Sequence, residues 1–261
     1  VYGSTEMGLF TQHMGDRFDP ATLGQWYQSH PDLGLPLEWK IDDDGGLLVR
    51  GGTPFGGYYK SPESSQEALK DGWFITGDAI KMQADGEVVF LDRVKDLKKL
   101  STGHLFPPQF IETRLRFSPY IKDAMILGDE QKDSVAAFIN IDGETVGQWA
   151  ERQGIAYTSF PDLSQKPEVC GLVQDEVDRV NSVLDQQSQV KHFVNLPKEL
   201  DPDEAELTRT RKLRHGLLEK RYASLIKAIY QGRETFETEV PVKYRDGRTG
   251  VVKTLTRINS A

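Results

Sequence analysis

The hydrophobic rhythm of this chain changes part-way along, and that change limits what it can fold into. From Trp39 to about Phe90, apolar residues come in short β-type runs: Trp39 to Ile41, Gly46 to Val49 and Glu87 to Leu91. Asp44-Gly45 and Asp85-Gly86 punctuate them, a pattern that predicts a small twisted β-subdomain. Further on, the period lengthens. Pro107-Pro108 precedes a predicted helix from Gln109 to Phe117, since proline is tolerated in a first turn whose amides have no intrahelical partner. Val169, Leu172, Val173, Val177, Val180 and Leu184 recur at helical spacing, as do Leu218, Tyr222, Leu225, Ile226 and Ile229, and both stripes read as core faces. Between these helices, Ala124 to Gly128 and Val135 to Ile141 predict two strands of a hairpin joined by Asp129 to Asp133. Past Tyr230, Val240, Val242 and Tyr244 alternate with Glu239, Pro241 and Lys243. Asp246-Gly247 and a β-prone Val251 to Ile258 follow, so a terminal β-hairpin is expected.

The fold class is therefore α+β, with a β-rich part over residues 1–93 and an α+β domain over 94–261 that ends in the hairpin. A length of 261 residues suits two compact units, each with its own core. The formal charge of −8 excludes broad electrostatic attraction to nucleic acid or anionic lipid. Cys170 is the single cysteine, so no internal disulfide forms and a reducing, cytoplasmic setting is expected. No apolar run approaches the roughly 20 residues of a membrane-spanning helix. The chain opens with Val1 directly on a motif-bearing segment, and the natural polypeptide is expected to start earlier.

Three segments carry chemistry-bearing side chains. Tyr2-Gly3-Ser4-Thr5-Glu6 offers an aromatic face, two hydroxyls and a carboxylate, which suits a nucleotide triphosphate with Mg²⁺ but equally a polar turn. In Asp71-Gly72-Trp73-Phe74-Ile75-Thr76-Gly77-Asp78 a carboxylate follows what reads as a tight glycine turn. Asp78 there is either a bidentate acceptor for two ribose hydroxyls or a solvated turn residue. Asp92-Arg93-Val94-Lys95-Asp96-Leu97, running on to Ser101-Thr102-Gly103-His104, reads as a solvated linker, which is compatible with a hinge.

Taken in order, YGSTE, GGLLVRGGTPFGGYYKSPE, DGWFITGD, DRVKDLKKLSTG and a late ELTRTRK resemble the adenylate-forming superfamily of acyl-CoA synthetases, luciferases and adenylation domains. The resemblance covers residues 1 to about 230. ELTRTRKLRH followed by LEKRYASLIKAIY is similar to the closing segment of the long-chain fatty acyl-CoA synthetase type. Such enzymes join a carboxylate to the α-phosphate of ATP and pass the acyl group to CoA. The resemblance implies that Tyr2 stacks near adenine, Gly3 lies in the nucleotide-binding segment, Thr5 binds phosphate and Glu6 coordinates Mg²⁺, while Asp78 and Arg93 hold the ribose. It also implies a hinge at Lys95 and Asp96, a CoA channel helped by Gly103 and its neighbours, and Lys212 as a mobile cation that bridges the carboxylate and α-phosphate oxygens.

The departures from the family pattern are Gly46 in place of an acidic residue, Ser101-Thr102-Gly103-His104 in place of a double glycine, and Arg209 and Arg211 beside the lysine position. The phosphate loop and most of the acyl pocket of such enzymes lie upstream. This chain alone is therefore expected to be inactive, with its partners being fatty acid, ATP, CoA and the missing N-terminal part. Peripheral membrane contact is reserved for the complete protein. Alternatives are a ligase that loads a carrier protein and a non-catalytic nucleotide- or partner-binding relative. Gln231 to Ala261 is expected to pad the domain surface.

Overall fold

The computed structural model describes residues 1–15, 19, 22–29, 34–51, 55–201, 205–208, 212–243 and 249–261; the side chains of 240–243, 249 and 252 are not described. Part of the GGTPFGG segment, Arg209, Arg211, Tyr244 and Asp246-Gly247 lie outside the described residues. The chain divides into two compact units, Val1–Leu97 and Lys98–Ala261.

In the first unit, strands β1 (Tyr2–Ser4), β2 (Gly8–Gln12) and β3 (Gln25–Trp26) form an antiparallel sheet. A second sheet contains β4 (Leu37–Ile41) and β5 (Gly46–Gly51). After the short helix α1 (Pro62–Ala68), it is completed by β6 (Leu69–Lys70), β7 (Trp73–Met82) and β8 (Val88–Arg93). Strand alternation sends Phe10, Leu47, Val49, Phe74, Ile80 and Val88 into one core, as a half-buried antiparallel sheet requires, and Met7 joins them from the turn between β1 and β2. A 3₁₀ turn over Val94–Asp96 closes the unit.

The second unit opens with a tight hairpin of β9 (Lys98–Lys99) and β10 (Leu105–Phe106), followed by helix α2 (Pro108–Leu115). Its centre is a four-stranded sheet in the order β11 (Ile121–Leu127), β12 (Val135–Ile141), β13 (Val190–Asn195) and β16 (Asn259–Ser260). Strands β11 and β12 are antiparallel, and β12 and β13 are parallel. The parallel step needs a crossover, supplied by α3 (Gly143–Arg152), α4 (Phe160–Ser164) and α5 (Pro167–Asn181). Successive residues of β11 and β12 enter different cores. Ala124, Ile126, Ala137 and Ile139 face Val169, Val173 and Val177 of α5, whereas Met125, Leu127, Ala136 and Phe138 face the last two helices. Burial on both faces is why these strands read as continuous apolar runs.

The stripe from Leu218 to Ile229 belongs to two helices, not one: α6 (His215–Arg221) and α7 (Ala223–Tyr230) meet at Tyr222. The stripe survives because Tyr222 N–H still donates to Leu218 and Ile226 N–H to Tyr222. The end of the chain does more than pad a surface. Strands β14 (Thr235–Lys243) and β15 (Thr249–Arg257) pair antiparallel, and the chain then returns as β16 to cover the edge of β13. That pairing satisfies backbone groups an open edge would leave exposed.

Candidate functional site

The Tyr2 to Glu6 segment is a strand and a turn. Gly3 in β1 pairs with Leu9 in β2, and a Cβ added to Gly3 would stand 2.4 Å from the Gly8 carbonyl oxygen. Glycine is therefore set here by close backbone approach, a need independent of any ligand. The turn leaves Thr5 exposed and Glu6 half-buried. Burial pushes the Glu6 carboxyl up, but hydrogen bonds from its own amide and Tyr58, with the positive charge of Arg93, outweigh it and hold the group below the usual glutamate range. Tyr58 Oη donates to Glu6 Oε1 at 2.9 Å. Among the described residues no cluster of three or more histidine, cysteine, aspartate or glutamate side chains could hold a metal ion. A lone ionised carboxylate such as Glu6 fits Mg²⁺, which keeps several waters and is often held by one or two carboxylates plus substrate phosphates.

Asp78 lies inside strand β7 and not after a tight turn, which corrects the sequence reading. Gly46 pairs with Ala79 and Leu48 with Ile75, so β7 carries extra residues there and bulges. Gly77, at φ 72°, supplies the left-handed conformation the bulge uses. Thr76 stitches the bulge together: its hydroxyl donates to Leu47 O at 2.8 Å and accepts from Asp78 N–H at 3.1 Å. This turns Asp78 inward, where it is 8% exposed. Oδ2 accepts from Tyr2 Oη at 2.5 Å, and Oδ1 forms an ion pair with Arg93 Nη1 at 2.7 Å. Register supports the ion pair, since Asp78 and Arg93 are direct neighbours across β7 and β8. Arg93 also donates to Thr76 O at 3.2 Å.

The Tyr2 ring tilts against Phe10 at 5.4 Å between centroids. Burial, then the bond to Asp78, raises its hydroxyl well above the ordinary tyrosine range, so it stays a donor. Tyr2, Asp78, Arg93 and, through charge, Glu6 thus converge within the first unit. Tyr58 and Thr76 join them although sequence reasoning gave neither a role; a polar side chain beside glycine was the only local signal.

Lys95 and Asp96 are exposed in the 3₁₀ turn. Gly103, at φ 86°, lets the β9–β10 hairpin turn, with its N–H bonded to Leu100 O at 2.9 Å. His104 is tied to Ser188 at 2.8 Å and to Asp185 at 3.1 Å. Lys212 is exposed at the end of a small clip. Leu207 and Leu213 bridge, Thr208 N–H donates to Lys212 O at 2.8 Å, and Lys212 N–H donates to the Thr208 hydroxyl at 3.0 Å. The clip rests on fully buried Glu206, which pairs with Arg221 and with Lys198 at 3.4 Å.

The sequence model of the AMP-binding enzyme C-terminal domain matches residues 95–234. The chain belongs to the AMP-binding enzyme family. It is 34% identical over 192 residues to the long-chain-fatty-acid–CoA ligase FadD15 of Mycobacterium tuberculosis, covering 73% of this chain and 32% of that protein. Long chain acyl-CoA synthetase 1 of Arabidopsis thaliana is 31% identical over 189 residues, covering 72% and 28%. The chain thus spans about a third of the length of the curated relatives it matches. Apo MatB from Rhodopseudomonas palustris shares the fold, with a TM-score of 0.55 at 22% identity, covering 86% of this chain and 40% of that one. The hairpin and β16 lie beyond the family match. Among the described residues no helix is long and apolar enough to cross a membrane.

Proposed function

We propose that this chain is the C-terminal part of an ATP-dependent long-chain fatty acyl-CoA synthetase, which activates a carboxylate as acyl-AMP and transfers the acyl group to CoA. The observation that carries this reading is the Tyr2–Asp78–Arg93 arrangement, found in a chain similar to long-chain fatty acid–CoA ligases over most of its length. A carboxylate offers about four acceptor positions. Tyr2 and Arg93 use one on each Asp78 oxygen, and the others are left for two ribose hydroxyls. Thr5 and Glu6, on the turn beside Tyr2, would meet the phosphates, with Glu6 holding Mg²⁺; bound there, the ion would neutralise phosphate charge.

Lys212 acts as a cation and not as a base: it neutralises charge developing between the carboxylate and the α-phosphate. Its exposed turn suits delivery to a substrate, with Lys95 and Asp96 as the hinge and the Gly103 loop contributing to the CoA channel. Catalysis here rests on positioning and charge stabilisation, with no covalent enzyme intermediate.

The test is an assay of the complete polypeptide with a long-chain fatty acid, ATP, Mg²⁺ and either CoA or a holo-carrier protein. Pyrophosphate release that depends on fatty acid, with an acyl-CoA product, is expected. Acyl transfer to the carrier alone would overturn the acceptor, and absence of pyrophosphate release would overturn the ligase reading.

A further inference from the structure

Beside the lysine-bearing clip lies an open cleft of about 650 Å³, lined by Lys212 together with residues of α2, β11 and the start of α6. One contact in it joins the clip to the rest of the unit. Glu112 of α2 is buried, at 8% exposure, and its Oε1 accepts from the Ile126 N–H of β11 at 2.9 Å. His215 Nε2, at 2.9 Å, shares that same oxygen. Bonding to the backbone of β11, the edge strand of the central sheet, fixes the carboxylate, so Glu112 is an anchor and His215 is the part that can let go.

His215 is the first residue of α6 and follows Lys212 by three positions. The intervening chain is short and already pinned, with Leu213 bridged to Leu207 and Arg214 N–H donating to Glu206 O at 3.0 Å. A change in the hold on His215 therefore has little slack to absorb it before it reaches Lys212.

We propose that His215, acting through Glu112, is a positioning residue for Lys212: in its charged form it holds the base of the lysine turn firmly against α2, and that hold loosens when the ring loses its proton. A hydrogen bond to a carboxylate is already charge-assisted; the proton adds the attraction of a full positive charge for Glu112, so it decides how firmly the turn is held. The charged groups around the ring are Glu112 and Arg116 on α2, Lys122 and Asp123 on β11, Lys98 on β9, and Lys212 itself. Lys122 is paired with Glu199 at 2.7 Å and Lys98 with Glu219 at 3.6 Å. The Glu112 hydrogen bond raises the imidazole above its ordinary range, against burial and the Lys98 charge. The sign follows: the charge-dependent part of the hold is complete below the ordinary histidine range and is lost as pH rises through the raised folded value.

The experiment is a pH titration of the 261-residue chain by NMR, following the five histidine rings together with the Lys212 backbone amide and its Cε. His215→Gln assigns the ring signal and keeps a neutral, polar side chain at this half-buried position. The expected result is a Lys212 inflection at the pH where His215 titrates, absent in His215→Gln. In Glu112→Gln, both inflections should move down together. A Lys212 amide that stays flat through the His215 titration would overturn the proposal, as would an unchanged Lys212 inflection in His215→Gln; that second variant decides the matter if Glu112→Gln does not fold.

The catalytic consequence rests on the reading of Lys212 as the adenylation cation. In the complete polypeptide, His215→Gln should remove the alkaline decline of acyl-adenylate formation while leaving conversion of supplied acyl-adenylate unchanged. A polypeptide that forms no acyl-adenylate at any pH would instead defeat the ligase reading, while the NMR coupling judges the His215 proposal by itself.

Discussion

Asp78 and Lys212 are built into contrasting surroundings. The carboxylate is buried in a bulge of β7, with one oxygen bonded to Tyr2 and the other paired with Arg93. The lysine stands exposed beside a clip whose described residues are anchored through Glu206 and Glu112. A group that must recognise a ligand gains from being locked before the ligand arrives, because its geometry is then fixed in advance. A group that must reach a reacting centre and leave again gains from a free tip on a fixed base. On the proposed function, the first unit is organised for holding and the clip of the second for delivery.

The contrast breaks most visibly if the base of the clip is removed. Glu206→Ala leaves Lys198 and Arg221 without their shared buried carboxylate. Breaking a buried ion pair is strongly destabilising, so a loss of about 3 kcal/mol is expected, read by urea unfolding of the second unit. A loss within 0.5 kcal/mol, the usual scale of surface changes, would mean the clip is not anchored there.

Next comes the locked carboxylate. Asp78→Ala leaves the Tyr2 hydroxyl and the Arg93 guanidinium without their partner. An unsatisfied buried group costs about 1–3 kcal/mol, visible as a lower unfolding midpoint of the first unit, and AMP binding by the complete polypeptide should be lost with it. Retained AMP affinity would remove Asp78 from the nucleotide site.

Lys95→Pro fixes one backbone torsion in the Val94–Asp96 turn. One half-reaction of the complete polypeptide should keep its rate while the other falls, and full thioester formation would contradict a hinge at this position.

The smallest effect concerns Glu6. Its carboxyl is held below the ordinary range, so the stabilisation it provides is present above the unfolded glutamate value and is lost as pH falls through the depressed folded value. Glu6→Gln should flatten that acid limb in a thermal-melting series across pH, whereas an unchanged limb would show that its partners do not stabilise the charged form.

What the sequence disclosed depended on how local the cause was. The stripe of Val169, Val173, Val177 and Val180 announced α5, and the apolar runs of β11 and β12 announced their hairpin, because burial repeats at the period of the element. Strand β13 stayed hidden. Val190–Asn195 mixes lysine, histidine and asparagine with its apolar residues, and it becomes a strand by pairing with β12 across a crossover of three helices. The break at Tyr222 was invisible because the core stripe runs through it without a change of phase. At the candidate site, the YGSTE and DGWFITGD segments were legible through their resemblance to a family. The direct bond from Tyr2 to Asp78 joins residues 76 positions apart, and neither segment signals it. In the fold the Tyr2 ring rests against Phe10 and its hydroxyl steadies the carboxylate.

The most direct test compares the two half-reactions of the complete polypeptide carrying Lys212→Ala. Loss of one transition-state donor predicts acyl-adenylate formation slowed by about 10²–10³, with conversion of supplied acyl-adenylate to thioester and the unfolding midpoint both unchanged. Equal damage to both half-reactions, or none to the first, would contradict a lysine presented for delivery.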